Sequence, residues 1–336
     1  MQDYNNDPRL PIPPLWEMLE FTFSLEHEDV RLVTVCNKRR VIIDVEANDL
    51  YLSPRILEQY RFFLQVAEEV ELDGCTIEDF HDWLAEPLLP IFQKLGTIEK
   101  KAETLDTFFN PEIFRYSLRA EGDSLVASEK EEDQDEIPMF GSRIREEDYA
   151  KFPVFEPSQL HACARENGFG PPSIKPSKTQ LPDGSVAFLK VMHPGDRHSL
   201  ETELRSYNKI QDAHLDPTLR ISRLLGIVRN ETLIVGILLT YIDCKNKTLS
   251  CAAKSSSEAS LRAKWLTQIE ETVACLHRSG IAWGDAKPDN VMIDQNQDAW
   301  LIDFGDSYTE GWVPKELAGT IEGDRVGLEK IACFLE

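Results

Sequence analysis

At 336 residues the chain exceeds a typical domain of about 100–200 residues, so one large domain or two are expected. Hydrophobic residues at 42% and charged residues at 28% sit near globular averages, which excludes collagen-like and wholly disordered chains. Lys plus Arg number 36 against 59 Asp plus Glu, a net charge of -23 that repels phosphate backbones and anionic lipid, so no nucleic acid and no membrane are expected as partners.

No apolar run approaches the roughly 20 residues of a spanning helix, the longest candidate, 232–242, being interrupted by Gly236. Residues 1–10 are polar, acidic and proline-bearing, without the blocks of a signal peptide, which predicts a cytoplasmic or nuclear chain that is not secreted. The seven cysteines (Cys36, Cys75, Cys163, Cys244, Cys251, Cys275, Cys333) contain no C-x-x-C pair and read as reduced, mostly buried thiols rather than a metal site.

In chain order, the runs at 21–23, 30–35 and 41–43 are β-branched or aromatic and predict strands. Ile56, Tyr60, Phe63, Ala67 and Val70 recur at helical steps, and Thr76 is placed as the N-cap of a second helix carrying Phe80, Trp83 and Leu84, which Pro87 and Pro90 should bend or end. An aromatic-rich stretch follows over 105–118. His27 and His81 have no partners at ligand spacing and read as surface or packing residues. Residues 121–136 hold eight acids and one lysine, the composition of a solvated tether. Residues 1–118 are therefore expected as a small accessory α+β domain and 119–150 as an acidic flexible linker.

Beyond it, Pro182-Asp183-Gly184 predicts a turn into a strand over 186–192 holding one charge, Lys190. A helix over 199–210 carries Glu203, Leu204 and Tyr207, and strands are predicted at 224–228 and 233–242. Ser255 and Glu258 have capping-box spacing before a long helix through Leu261, Trp265, Ile269, Val273 and Leu276, with Gly280 as its stop. A hairpin of 291–293 and 300–302 closes this stretch.

Between that helix and hairpin lies Trp283-Gly284-Asp285-Ala286-Lys287-Pro288-Asp289-Asn290, and just after the hairpin lies Asp303-Phe304-Gly305. D-x-K-x-x-N should occur by chance about 0.04 times in such a chain. Two carboxylates and a carboxamide oxygen suit Mg²⁺ shared with nucleotide phosphates, a hard cation that seeks oxygen. Asp303 and Asn290 are the candidate metal ligands, Asp285 the group that orients an acceptor hydroxyl, and Lys287 the charge on the migrating phosphoryl. Lys190 is the candidate cation for the α- and β-phosphates, fixed by Glu203, with Glu201 a competing choice. Taken alone, Asp303 reads more readily as a turn cap and Glu203 as a solvated helix charge; their joint order reverses that reading.

With strand lysine, helix glutamate, D-x-K-x-x-N and D-F-G in this order, residues 152–336 resemble the protein-kinase-like superfamily. Within it the chain looks similar to divergent fungal protein-kinase-like proteins with an accessory N-terminal region. The resemblance implies an α+β fold with two kinase-like lobes, over 151–243 and 244–336, the second truncated, after the small N-terminal α+β domain. It also implies that Thr240, Tyr241 and Ile242 hold adenine, that Phe304 and Gly305 support the metal site, and that Asp324 braces the catalytic loop. ATP and Mg²⁺ are the implied cofactors, and a Ser/Thr hydroxyl of a protein is the implied acceptor. A small-molecule kinase of aminoglycoside type and a nucleotide-binding scaffold are the alternatives. No G-x-G-x-x-G precedes Lys190, Asn167-Gly168-Phe169-Gly170 being too distant, and Trp283-Gly284 stands where the family has His-Arg, which argues against switching by loop phosphorylation.

Overall fold

The computed structural model of the protein describes residues 16–95, 104–131, 138–163, 176–244, 247–253, 258–305 and 308–336. Of these, 16–95 and 110–131 form one compact unit, while 104–109, 138–163 and the residues from 176 onward form another.

In the first unit the β-branched runs form strands β1 (Trp16–Ser24), β2 (Asp29–Cys36) and β3 (Arg39–Glu46). Their pairing places Val30 opposite Val45 and Leu32 opposite Ile43, so every second side chain enters one buried face. Helix α1 (Pro54–Glu69) starts with proline in its first turn and buries Tyr60, Phe63, Leu64 and Ala67. A small hairpin, β4 (Glu71–Leu72) and β5 (Cys75–Thr76), turns through Asp73-Gly74, both at positive φ. Thr76 caps α2 (Ile77–Ala85) in a capping box with Asp79, as expected. Pro87 and Pro90 then act as anticipated: α2 stops at Ala85, a 3-10 turn follows, and α3 (Leu89–Lys94) begins with Pro90 in its first turn. Phe63 and Phe80 stack at 5.0 Å in this core, His81 is buried edge-on to Phe21, and His27 lies exposed.

The crossover through these helices allows β6 (Ile113–Glu121) to lie parallel to β3, and β7 (Ser124–Glu129) folds back beside β6, giving a sheet ordered β1-β2-β3-β6-β7. This corrects the expectation of a flexible acidic linker over 119–150. Gly122 makes the turn at φ +62°, and Leu125 and Ala127 pack on the core while Glu121, Asp123 and Glu129 sit at the strand ends. Further on, Phe140, Ser142 and Tyr149 are buried in the second unit, with Ser142 bridged to Ile234; the rest of the acidic run, 132–137, lies outside the described residues. The aromatic stretch also divides. Helix α4 (Asp106–Phe109) goes with the second unit, where Phe108 and Phe109 pack on Phe140.

The second unit has a six-stranded sheet ordered β8-β12-β13-β11-β10-β9, made of β8 (Val154–Phe155), β9 (His161–Ala162), β10 (Lys178–Gln180), β11 (Val186–Val191), β12 (Leu224–Asn230) and β13 (Leu233–Thr240). Helix α5 (Arg197–Asp212) lies between β11 and β12 in sequence and buries Leu200, Leu204, Tyr207 and Ile210. After the sheet come α6 (Leu249–Ala252), α7 (Ala259–Arg278), the hairpin β14 (Val291–Ile293) and β15 (Ala299–Leu301), and α8 (Ile321–Leu335). Helix α7 buries Trp265, Ile269, Val273 and Leu276 as its periodicity requires, and Gly280 beyond its end has φ +71°. Ser255 and residues 167–170 lie outside the described residues. One core cluster runs from Ile227 and Ile237 of the sheet through Tyr207 and Phe304 to Ile269, Val291 and Ile331.

All seven cysteines are free, but only Cys36 and Cys244 are buried, and Cys251 and Cys333 are exposed, so the expectation of mostly buried thiols does not hold. Among the described residues no helix is long and apolar enough to cross a membrane.

Candidate active site

Lys190 sits in β11 opposite Ile237 of β13, where a lysine in an apolar strand needs a counter-charge. Helix α5 supplies it. Lys190 Nζ lies 2.9 Å from Glu203 Oε2 and 3.1 Å from Asp303 Oδ1. Glu201, the competing choice, instead pairs with Arg197 at 2.9 Å. Burial would lower the Lys190 pKa, but the charges of Glu203 and Asp303 outweigh it and hold the ammonium above its ordinary range. Glu203 is 1% exposed, and burial pushes its carboxyl upward against the opposing pull of the Lys190 charge; its Oε1 has no hydrogen-bond partner.

The second cluster grows from the turn after α7. Gly284 takes φ +98°, a left-handed bend that a side chain would oppose, and Asp285 follows it into the core at 1% exposure. Lys287 Nζ donates to Asp285 Oδ2 at 2.6 Å, and Asn290 Nδ2 donates to the Asp285 backbone carbonyl and to Oδ2, both at 3.0 Å. With its nitrogen committed to Asp285, Asn290 keeps Oδ1 as an acceptor. Ile302 N donates to the Asn290 carbonyl at 3.0 Å, which carries the neighbouring Asp303 to this loop as well as to Lys190. Asp303 has φ +59°, unusual for a non-glycine residue. Phe304, fully buried, meets Tyr207 of α5 edge-to-face at 5.8 Å, and Gly305 is buried beside it.

Asp324, on the first turn of α8 and 1% exposed, accepts from the backbone N–H of Trp283 at 2.7 Å and of Gly284 at 2.8 Å, and from His277 Nε2 at 2.7 Å. Thr240, Tyr241 and Ile242 lie at and just beyond the end of β13. Thr240 pairs with Ala187, the Tyr241 ring lies 4.8 Å from Lys178 Nζ, and the Ile242 carbonyl accepts from Cys244 N at 2.9 Å. None of these particular contacts is made to a residue of either cluster.

Sequence reasoning missed Thr309. Its Oγ1 accepts from Lys287 Nζ at 2.6 Å and donates to Asp285 Oδ1 at 3.3 Å, closing a three-residue clasp. The only signal was a hydroxyl in the polar stretch after Gly305, shared by several neighbours. The donor set of Asp303, Asn290 Oδ1 and Asp285 is all oxygen, which suits a hard cation such as Mg²⁺. Among the described residues no group of three or more His, Cys, Asp or Glu is arranged to hold a metal, so a cation here would depend on phosphate oxygens for the rest of its shell.

Residues 183–320 match the family model described as the protein kinase domain. The chain is 26% identical over 162 residues to the maternal embryonic leucine zipper kinase of Xenopus tropicalis, an alignment covering 44% of this chain and 22% of that protein. It is 23% identical over 150 residues to the human receptor-interacting serine/threonine-protein kinase 1, covering 43% and 21%. The chain thus spans about a fifth of the length of these curated relatives. The match over residues 183–320 and these similarities support a protein-kinase-like superfamily for the second unit, whose mixed strands and helices are consistent with an α+β fold of that kind; the N-terminal sheet unit precedes it in sequence.

Proposed function

We propose that the second unit is an ATP-dependent protein kinase, moving the γ-phosphoryl of ATP to a Ser or Thr hydroxyl of a protein in the presence of Mg²⁺. The observation that carries this reading is the pairing of two aspartates each with its own lysine, Lys190 on Asp303 and Lys287 on Asp285, with Asn290 lying between the aspartates in sequence and bonded to Asp285. Bound Mg²⁺ would offset charge on the phosphate oxygens. Asp303 and Asn290 Oδ1 are the residues to hold it. Lys190, kept charged and oriented by Glu203, binds the α- and β-phosphates, and Thr240, Tyr241 and Ile242 line the adenine side.

Asp285 orients the acceptor hydroxyl and takes its proton as the new O–P bond forms and the bond from the γ-phosphorus to the bridging oxygen breaks, ADP leaving with that electron pair. Lys287 stabilises charge on the phosphoryl in flight, and Thr309 holds Lys287 and Asp285 at a fixed separation. Asp324 holds the loop that carries Asp285, and Phe304 and Gly305 hold Asp303. The free thiols suit a reducing compartment, cytoplasmic or nuclear.

The test is incubation of the full chain with γ-labelled ATP and Mg²⁺ against a Ser/Thr peptide library, a set of aminoglycosides, and neither. Label on peptide hydroxyls is expected. Label on the aminoglycosides alone would replace this reading with a small-molecule kinase. Nucleotide binding without transfer to any acceptor would replace it with a nucleotide-binding scaffold.

A further inference from the structure

Trp283 is fully buried, yet it carries a polar atom that burial without a partner would penalise. That atom has one: the indole Nε1–H donates to the backbone carbonyl of Ile302 at 2.9 Å. The bond crosses 19 residues of sequence and lands on the peptide that joins Ile302 to Asp303. The amide N–H of Ile302 is held in turn by the Asn290 carbonyl at 3.0 Å. The residue before Asp303 is therefore fastened at both of its backbone polar groups.

The plane containing the Ile302 carbonyl is one side of the φ rotation of Asp303. Asp303 stands at φ +59°, a value an L-residue leaves readily unless its neighbours oppose the rotation. Turning that peptide toward negative φ would take the Ile302 carbonyl off the indole and swing the carboxylate away from Lys190, 3.1 Å distant. Trp283 is itself anchored, since its backbone N–H donates to Asp324 Oδ2 at 2.7 Å. Indole has no acceptor and does not titrate, so this brace is the same at every working pH.

We infer that Trp283 is a positioning residue for Asp303: its indole N–H pins the Ile302 carbonyl and holds Asp303 in the left-handed conformation from which its carboxylate faces Lys190 and the bound cation. The inference rests on the phosphoryl-transfer reading of the site, in which Asp303 is the metal ligand.

The experiment uses the full chain, with thermal shift and calorimetry measuring ADP binding across a Mg²⁺ titration. In Trp283→Phe, which keeps an aromatic ring and removes the N–H, the Mg²⁺ concentration for half-maximal effect should rise about fivefold, the factor a single lost hydrogen bond gives. ADP affinity without metal should be unchanged. Introduced into Asp303→Asn, the same substitution should add no further loss of Mg²⁺ dependence, because its effect passes through that carboxylate. An unchanged Mg²⁺ midpoint in folded Trp283→Phe, or an equal further loss in the Asp303→Asn background, would overturn the inference. Should Trp283→Phe fail to fold, Trp283→His, which keeps a ring N–H, takes its place: it should retain Mg²⁺ dependence near that of the wild type, and loss of it would overturn the inference. If the wild type shows no Mg²⁺-dependent ADP binding, the phosphoryl-transfer reading itself fails, a result distinct from either.

Discussion

Replacing Asp324 by alanine removes the acceptor of two backbone amides and one imidazole at once. The site is 1% exposed, so water cannot stand in for the carboxylate without opening the core. Each buried N–H left unsatisfied costs about 1–3 kcal/mol, which puts Asp324→Ala at about 2–6 kcal/mol from the Trp283 and Gly284 amides alone. That is a large part of a typical domain stability of about 5–15 kcal/mol. Asp324→Asn keeps one oxygen and should lose roughly half as much. Urea unfolding of the full chain, read from tryptophan fluorescence, measures the effect: with an m-value of about 2 kcal/mol/M, Asp324→Ala should lower the midpoint of the second unit by about 1–3 M. Glu329→Ala, on an exposed position of the same helix, is the control and should stay within about 0.5 kcal/mol of wild type. An Asp324→Ala protein as stable as that control would refute the claim that this carboxylate holds the loop.

A β-carbon at Gly327 would lie 2.5 Å from Ala286 Cβ and 2.6 Å from its carbonyl oxygen, so Gly327→Ala should cost about 1–3 kcal/mol and also displace the loop between Asp285 and Lys287; calorimetric melting and turnover should fall together. Thr309→Val removes the hydroxyl shared by Lys287 and Asp285 and should lower kcat about tenfold while leaving Mg-ADP affinity intact, as measured by steady-state kinetics and calorimetry. Lys190 has its folded pKa raised above 10.5, so its contribution to stability is fully present below that pH and is lost as pH rises through the folded value. The stability difference between wild type and Lys190→Met should therefore hold constant from about pH 8 to 10 and shrink only at higher pH.

The site was legible where chemistry constrains residue type at fixed spacing. Asp285, Lys287, Asn290 and Asp303 could be named because the hairpin between them is short and its apolar strands are evident. Lys190 stood out as the lone charge of its strand, but the choice between Glu203 and Glu201 needed the helix rotation that buries one and leaves the other beside Arg197. Thr309 was invisible because a hydroxyl in a polar loop has no pattern; only tertiary placement selects it. Strand β7 was lost to averaging. The acids around it set the composition of the segment, whereas the fold depends on Leu125 and Ala127 and on the turn at Gly122. The hairpin at Asp73-Gly74 carries its own turn signal, but strands of two residues each are too short to show an alternating pattern.

The most direct test of the phosphoryl-transfer account is Asp285→Asn, compared with wild type for ATP turnover and for Mg-ATP affinity on the same preparations. A positioned carboxylate that acts on the acceptor predicts turnover lower by a factor of about 10²–10⁴ with affinity unchanged. Turnover equal to wild type, or affinity lost in proportion to rate, would contradict it.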